Sequence, residues 1–303
     1  MVKKILITGG TGLIGRKLTQ LLLESGYQVA HVSRSKNTST NPPTFAWDLN
    51  ENYLDPEALN GVEAIINLAG ASVADKKWSE SYKKVILESR VKSTNLLFER
   101  LQKADHQVKV FLSASAVGIY PDDRGNQVFY EDGPHATNFL AEVTGAWEQE
   151  VDKIATLGIR TVKFRIGVVL SKSGGALSKM LLPIKLGLGA PLGSGQQYMS
   201  WIHELDLCRM FVFALENENL KGVYNAVSPE AKTNDEFSKA IAKSLNKPYF
   251  LPNIPGFLIK LMMGEMAGMV LGGNNVSCKK IQNAGFQFKF GKLNAALGEL
   301  LVG

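Results

Sequence analysis

Residues 4–15 read KILITGGTGLIG, an apolar run that leads into a glycine-rich loop, and an amphipathic helical pattern follows through Leu23. In this strand, loop and helix context the GxxGxxG spacing predicts a dinucleotide site, because glycines permit a tight turn and a close approach of the backbone to a diphosphate. The N-terminus of the helix then favours the negative charge of the phosphates. The loop residues that we expect to contact the dinucleotide are Gly9, Thr11, Gly12, Leu13 and Ile14. A glycine-rich turn without a ligand is the alternative.

Short β-branched apolar runs alternate with longer amphipathic stretches through the first half of the chain. The predicted strands are residues 4–8, 28–32, 44–47, 64–68, 109–113 and 160–170, with a further strand near 222–228. Because these runs are nearly continuously hydrophobic, they indicate parallel strands that helices cover on both faces. The predicted fold class is α/β, a Rossmann-type doubly wound parallel sheet with a smaller α-rich C-terminal domain.

The composition of the chain changes near residue 170. Residues 171–200 are rich in Gly, Pro and Ser, and prolines interrupt the helical patterns that come later. We therefore predict an NADP-binding Rossmann domain over residues 1–170, to which the strand near 222–228 returns. Lid loops and a C-terminal substrate domain are predicted over residues 171–303.

Composition and charge exclude several classes of function. The chain has 303 residues, 45% hydrophobic and 20% charged, which is ordinary for a globular protein. It has no apolar run long enough for a membrane helix, and its first strand follows the N-terminus directly, so we expect a cytoplasmic protein with no membrane partner. Two separated cysteines and four scattered histidines predict no metal site. The basic residues behind the net charge of +6 are dispersed, so we expect no nucleic-acid partner.

The end of the second predicted strand reads Ser33-Arg34-Ser35-Lys36, where NAD-binding folds usually carry an acidic residue for the ribose 2′-hydroxyl. An arginine there can form two hydrogen bonds with a 2′-phosphate, and Lys36 can add positive charge. We therefore predict NADP(H) as the cofactor, with Ser33 and Arg34 at its 2′-phosphate; a solvated loop arginine is the alternative. The residues expected at the adenine, the adenosine ribose and the diphosphate are Asp48, Leu68, Ala69 and Gly70.

Further motifs follow the predicted strands, namely Asn67-Leu68-Ala69-Gly70, Ser113-Ala114-Ser115, Arg165 and Trp201-Ile202-His203-Glu204-Leu205-Asp206. Together with the glycine loop, they resemble the extended short-chain dehydrogenases/reductases, the group that includes nucleotide-sugar epimerases. A C-terminal pattern with Gly264-Glu265-Met266 is similar to one epimerase-family subgroup with a distinctive C-terminal domain, the atypical 39U type, sometimes labelled cell-division inhibitors. The resemblance implies an NADP-binding Rossmann domain, and it adds Ser113 and Arg165 to the expected cofactor-binding residues.

The resemblance also implies a catalytic Ser, Tyr and Lys, in which the serine orients the reacting oxygen and the tyrosine transfers a proton. Ser115 fits the first role, but no tyrosine of the chain is followed four residues later by a lysine. Tyr120, Glu142, Tyr198 and His203 are available as replacements, and the predicted catalytic residues are Ser115, Tyr120 and Glu142. A structural turn for Tyr120, a solvated helix face for Glu142 and a packing role for His203 are the alternatives.

Two hypotheses of function follow from these patterns. The first is an NADP(H)-dependent oxidoreductase or epimerase-like isomerase that transfers hydride on a small polar substrate, of a class that includes nucleotide-linked sugars. The second is a catalytically inactive NADP(H) sensor whose partner is another protein. Relatives of this kind often form a homodimer through helices that correspond to residues 81–103 and 140–157, and the sequence leaves the oligomeric state open.

Overall fold

The computed structural model of the chain describes residues 3–122 and 127–302. Its strands are β1 (Lys4–Thr8), β2 (Gln28–Ser33), β3 (Thr44–Asp48), β4 (Tyr53–Leu54), β5 (Ala64–Asn67), β6 (Val110–Ala116), β7 (Val128–Phe129), β8 (Arg160–Ile166), β9 (Val168–Ser171), β10 (Tyr198–Met199), β11 (Trp201–His203), β12 (Gly222–Ala226), β13 (Lys232–Thr233) and β14 (Asn275–Val276). Its helices are α1 (Leu13–Glu24), α2 (Glu80–Lys103), α3 (Phe139–Ala155), α4 (Gly175–Lys185), α5 (Glu204–Glu216), α6 (Asn234–Ser244), α7 (Gly256–Met263), α8 (Gly268–Leu271), α9 (Lys279–Asn283) and α10 (Leu293–Val302). Strands and helices alternate along the chain, which confirms the predicted α/β class.

The centre of the fold is an eight-stranded sheet in the order β12-β8-β6-β5-β1-β2-β3-β4. Its strands pair parallel except β4, which runs antiparallel to β3. Ile5, Leu6 and Ile65 are fully buried because helices cover both faces of the sheet. The strand order reverses between β1 and β5, as expected for the Rossmann-type topology, and open α/β sheets bind ligands at the carboxyl edge of such a reversal.

The strand predicted over residues 160–170 is two strands, β8 and β9, so the prediction of a single element is wrong. They are separated at Gly167, where a Cβ would lie 2.4 Å from the carbonyl oxygen of Ser200. Only glycine permits this close approach of two backbones. Val168 then pairs with Trp201 in a separate two-stranded sheet formed by β9 and β11. The chain therefore leaves the main sheet at this point.

The C-terminal region is rich in helices and has its own apolar cluster. Leu177 of α4, Phe237 of α6 and Leu297 of α10 are all buried within it. The short strand β14 pairs with β7, and the Asn274 side chain donates to the carbonyl oxygen of Val117 at 3.1 Å. These contacts fix the region against the carboxyl end of β6. The division into two domains at residue 170 stays a prediction.

Neither a membrane-spanning helix nor a cluster of metal-binding side chains occurs among the described residues. None of their helices combines the length and apolar character needed to cross a lipid bilayer. Within the same ranges, no group of three or more His, Cys, Asp or Glu side chains is arranged to hold a metal ion. Cys208 is a buried free thiol, and burial raises its pKa to about 12.

Candidate cofactor and active site

The glycine loop lies where the strand order reverses, between the end of β1 and the start of α1. Gly9 has a φ of +70°, and Gly12 donates its N–H to the Gly9 carbonyl oxygen at 3.0 Å, which closes a tight turn. A Cβ at Gly15 would lie 2.3 Å from the same oxygen, so glycine is required where α1 packs on the loop. Gly12 is the N-cap of α1, whose first turn has no acidic residue and no side-chain cap. This arrangement leaves N–H groups for a diphosphate.

Thr8 joins the glycine loop to the loop that follows β5. Its hydroxyl donates to the Asn67 side-chain oxygen at 2.7 Å and accepts the N–H groups of Leu68 and Ala69, each at 3.2 Å. A Cβ at Gly9 would lie 2.9 Å from the Leu68 carbonyl oxygen. The structure therefore brings the predicted contacts Leu68 and Ala69 directly beside the glycine loop.

His31 of β2 supports the glycine loop from within the fold. A Cβ at Gly10 would lie 2.4 Å from the His31 ring, whose Nε2 is hydrogen-bonded to the Thr19 hydroxyl at 2.8 Å. Burial lowers the pKa of His31, so the ring is neutral at pH 7. Sequence reasoning missed this residue, and the available signal was a histidine inside an otherwise apolar strand.

The end of β2 carries the residues predicted at the 2′-phosphate. Ser33 is half-buried, while Arg34 is exposed and has no ion pair with any residue in the described ranges. Lys36 binds Asp55 at 2.8 Å and Glu57 at 2.9 Å. Two carboxylates already pair with its charge, and the expectation that Lys36 adds charge for the phosphate stays a prediction. Arg34 is the residue that remains available there.

Asp48 lies at the end of β3, near the adenosine half of the predicted site. Its exposed carboxylate accepts the N–H groups of Asn50 at 2.8 Å and Glu51 at 3.2 Å. These hydrogen bonds shape the turn between β3 and β4. A contact of Asp48 with adenine stays a prediction.

Two segments from α4 and the turn before it approach the predicted cofactor site. The turn at Gly174 and Gly175 lies over the glycine loop, where a Cβ at Gly175 would lie 3.3 Å from the Leu13 side chain. In α4, the Lys179 ammonium group donates to the carbonyl oxygen of Ala74 at 2.6 Å. Because Ala74 belongs to the loop after β5, this hydrogen bond bridges the two sides of the predicted cofactor site.

Ser115, at the carboxyl end of β6, belongs to a buried ionic network. Its hydroxyl donates to Glu148 of α3 at 2.6 Å, and Arg165 of β8 donates to the same carboxylate at 2.8 Å from Nε and 2.9 Å from Nη2. Burial opposes ionisation of Glu148, but the hydrogen bonds and the charge of Arg165 outweigh it and hold the Glu148 pKa below its usual value. Glu148 is therefore ionised at pH 7, and it fixes the orientation of the Ser115 hydroxyl.

Tyr120 contacts the other side of Arg165. Its hydroxyl donates to Asn225 Oδ1 at 2.7 Å and accepts a hydrogen bond from Arg165 Nη1 at 2.9 Å. The Tyr120 side chain is 1% exposed, and burial raises the pKa of its phenol. The network thus brings Ser115, Tyr120 and Arg165 together. The predicted roles of Tyr120 in proton transfer and of Arg165 in cofactor binding stay predictions.

The other candidate residues lie outside this network. Glu142 is exposed in the first turn of α3. His203 is 1% exposed, caps the start of α5 and contacts the Glu299 carboxylate at 3.0 Å. Tyr198 is half-buried on β10, which pairs with β13. The contacts of His203 agree with the packing role that the sequence left as an alternative.

Sequence reasoning gave no individual role to two residues that organise the site. Glu148 is the shared partner of Ser115 and Arg165, and its signal was a carboxylate on the helix face that covers the sheet. Asn67 donates to Thr94 Oγ1 at 3.0 Å and lies 3.5 Å from Ser113 Oγ. It therefore ties the end of β5 to both α2 and β6.

The glycine loop, the reversal of strand order and the serine at the end of β6 define a dinucleotide-binding protein of the short-chain dehydrogenase/reductase type. A family model described as the NAD dependent epimerase/dehydratase family matches residues 5–226. A second model, described as a domain of unknown function (DUF1731), matches residues 254–300. The chain belongs to the NAD dependent epimerase/dehydratase family, and the resemblance drawn from its motifs, including the distinctive C-terminal domain, is confirmed.

Known proteins resemble the chain along its whole length. Epimerase family protein SSP1921 of Staphylococcus saprophyticus is 37% identical over 302 residues, which is 99% of this chain and 100% of the relative. The crystal structure of human epimerase family protein SDR39U1 (isoform 2) with NADPH is 34% identical, with a TM-score of 0.89 over 99% of both chains. A nucleoside-diphosphate sugar epimerase from Corynebacterium glutamicum is 28% identical, with a TM-score of 0.81 over 99% of this chain and 58% of that one.

Proposed function

We propose that the chain binds NADP(H) where the strand order reverses, and that it acts as an oxidoreductase or epimerase-like isomerase on a small polar substrate. The observation that carries this proposal is the position of Arg34. Its exposed guanidinium lies at the end of β2 without a carboxylate partner among the described residues. In this fold, that strand end faces the 2′ substituent of the adenosine ribose. The likeness to the human protein crystallised with NADPH supports the same choice of cofactor.

The residues present fit a dinucleotide phosphate. The glycine loop presents backbone atoms where other residues would present side chains. A Cβ at Gly9 or Gly15 would come too close to a neighbouring carbonyl oxygen. Ser33 and Arg34 would hold the 2′-phosphate, and the loop Leu68-Ala69-Gly70 would border the ribose and diphosphate. When bound, the cofactor supplies or accepts a hydride. The other functions of the site, namely binding and orienting the substrate, belong to the chain.

We assign to Ser115 the orientation of the reacting oxygen. Because its proton is donated to Glu148, the lone pairs of Ser115 Oγ can accept a hydrogen bond from a substrate hydroxyl. Glu148 stays ionised beside Arg165, so it positions Ser115 and does not take up the proton. The predicted proton-transfer groups differ in their surroundings. The carboxylate of Glu142 is exposed, whereas the hydroxyl of Tyr120 already donates its proton to Asn225 in a hydrogen bond.

Titration of the purified protein with NADPH and NADH, with wild type and Arg34→Gln, tests the cofactor assignment. Two charge-assisted hydrogen bonds to a phosphate at an exposed position are worth about 2 kcal/mol, or about 30-fold in affinity. Arg34→Gln should therefore weaken NADPH binding about 30-fold and leave NADH binding unchanged. Lys36→Met is the matched control, because Lys36 is already paired, and it should change either affinity by less than about threefold. Equal losses for both cofactors would contradict the assignment.

Enzymatic activity is tested separately, by following nicotinamide absorbance with carbonyl compounds and nucleotide sugars. Turnover that Ser115→Ala reduces at least about tenfold would support the oxidoreductase or isomerase.

The second candidate, a catalytically inactive NADP(H) sensor, is favoured by one observation. The polar atoms of Ser115, Tyr120 and Arg165 already have partners inside the protein. NADPH binding without turnover of any compound would favour the sensor.

A further inference from the structure

The C-terminal region carries an exposed apolar surface. Of the thirteen large apolar side chains that are exposed among the described residues, eight come from two short stretches of chain, residues 182–188 and 250–262. We call these eight the apolar patch, which consists of Leu182, Leu186, Leu188, Phe250, Phe257, Leu258, Leu261 and Met262. Soluble proteins seldom gather exposed apolar side chains in this way, and such a surface usually marks a site of association.

Helix α7 contributes half of the apolar patch. Phe257, Leu258, Leu261 and Met262 follow the spacing i, i+1, i+4, i+5, which places them along one face of the helix. Phe257 is 69% exposed and Leu261 is 80% exposed, whereas Ile259 between them is buried. The helix therefore packs through Ile259 and leaves a broad apolar face in water, the reverse of the usual arrangement for a surface helix.

Contacts between the two stretches place the rest of the apolar patch near α7. A Cβ at Gly189 would lie 3.2 Å from the Tyr249 ring, so the loop after α4 packs against the segment that carries Phe250. Farther along the chain, the Ile254 N–H donates to the Pro191 carbonyl oxygen at 2.8 Å, two residues before α7 begins. The end of α4, the loop that follows it and α7 are therefore neighbours on the surface.

The charge around the apolar patch has a single sign. Residues 175–200 and 237–264 contain six lysines and no aspartate or glutamate. Lys185, Lys247 and Lys260 are exposed, and none of them forms an ion pair within the described part of the chain. An apolar surface accompanied by unpaired cations is complementary to a bilayer with anionic headgroups. A second copy of the same surface would instead bring lysines against lysines.

We propose that the apolar patch binds the surface of a lipid bilayer that contains anionic phospholipids. The apolar side chains of α7 and of the end of α4 would enter the boundary between headgroups and acyl chains, and the lysines would contact the lipid phosphates. The expectation of no membrane partner rested on the absence of a spanning segment, and a helix that lies along a bilayer needs no such length. This interaction goes beyond the proposed function and does not depend on it.

Sedimentation with sucrose-loaded vesicles tests the proposal on the full chain. One set of vesicles contains phosphatidylcholine with about 30% phosphatidylserine, and the other contains phosphatidylcholine alone. Each lysine near an anionic surface contributes about fivefold in affinity, so the second set should bind at least about tenfold more weakly than the first. Binding to the anionic vesicles should also weaken as the salt concentration rises.

Phe257→Ser/Leu261→Ser tests the apolar part of the interaction. Two large side chains that leave water on binding are lost, so affinity for the anionic vesicles should decrease at least about tenfold. Leu23→Ser/Tyr53→Ser is the matched control, because it removes two exposed apolar side chains outside the apolar patch, on α1 and β4. The control should change the affinity by less than about threefold. Thermal melts followed by circular dichroism verify that each variant is folded.

Lys185→Gln/Lys260→Gln tests the charge, and it keeps the proposal open to refutation even if the serine variant fails to fold. Loss of two lysines should weaken binding to the anionic vesicles about 25-fold and leave binding to phosphatidylcholine unchanged. Lys109→Gln/Lys153→Gln removes the same net charge at two exposed lysines that already pair with carboxylates, at 3.4 and 2.7 Å. This control should change the affinity by less than about threefold.

Two outcomes would overturn the proposal. The first is that the wild type does not sediment with the anionic vesicles, or that the patch variants and their controls lose equal affinity. The second is a dimer in sedimentation equilibrium that Phe257→Ser/Leu261→Ser dissociates, without any vesicle binding, since the apolar patch would then belong to an interface between two copies of the chain.

Discussion

Glu148→Gln should destabilise the protein strongly, because Glu148 is the one carboxylate that contacts Arg165 among the described residues. It accepts hydrogen bonds from Arg165 Nε at 2.8 Å, Arg165 Nη2 at 2.9 Å and Ser115 Oγ at 2.6 Å. The glutamine keeps the size of the side chain, but it removes the charge and turns an amide donor toward another donor. Arg165 is 3% exposed, so it cannot recover its hydration.

The expected magnitude follows from the burial of this pair. Breaking a buried ion pair by removing one partner costs about 3–5 kcal/mol of the free energy of unfolding. For a chain of 303 residues, a loss of about 4 kcal/mol lowers the melting temperature by about 6 °C. Urea unfolding followed by circular dichroism measures the free energy, and a thermal melt checks the temperature shift.

Two further variants test the cause of this loss. In Glu148→Met/Arg165→Met both charges are absent, so the double variant should be more stable than Glu148→Gln. Glu150→Gln is the control on the same helix. Glu150 pairs with Lys153 near the surface at 2.7 Å, and its loss should cost less than about 1 kcal/mol. Equal stabilities of Glu148→Gln and wild type, or a double variant less stable than Glu148→Gln, would refute the reasoning.

Two other predictions concern His31 beneath the glycine loop and the hydrogen bond between α4 and the loop after β5. Because burial lowers the pKa of His31, the unfolded chain binds a proton more readily than the folded protein. The contribution of neutral His31 to the free energy of unfolding should therefore be fully present above about pH 6.5. It should fall by up to about 1.4 kcal/mol per pH unit as the pH decreases below that value. Urea unfolding at pH 7.5 and 5.5 measures this difference, which should be smaller in His31→Gln than in wild type. An identical pH dependence of the free energy of unfolding in the two proteins would argue against a role for His31. Lys179→Met removes the hydrogen bond to the Ala74 carbonyl oxygen and should speed NADPH dissociation about fivefold in stopped-flow displacement. Lys185→Met, on the same helix, is the control, and equal rates for the two variants would exclude a bridging role.

Local sequence signals predicted the strand, the tight turn and the helix start around the glycine loop. The residues from Lys4 to Gly15 form a strand, a turn and a helix start whose requirements are met by neighbours in the chain. Arg34 could be placed because it follows β2 directly. Each of these features depends on a few adjacent residues, and backbone geometry then brings the strand ends together.

The interactions that sequence reasoning missed join residues distant in the chain. Glu148 lies on α3, Arg165 lies on β8 and Tyr120 follows the turn after β6, and nothing near any one of them identifies the other two. Lys36 was expected at a phosphate because its partners, Asp55 and Glu57, lie beyond another strand. The division at residue 167 had the same origin, since the approach of Ser200 is visible only in the fold.

The packing of His31 under Gly10 constrains how this family can vary. The two residues belong to adjacent parallel strands and their loops, and together they fill a fixed volume beneath the phosphate-binding turn. A relative that carries a side chain at the position of Gly10 would need a smaller residue at the position of His31. We therefore expect these two positions to change together among relatives. A larger residue introduced at the position of Gly10 alone should destabilise the fold.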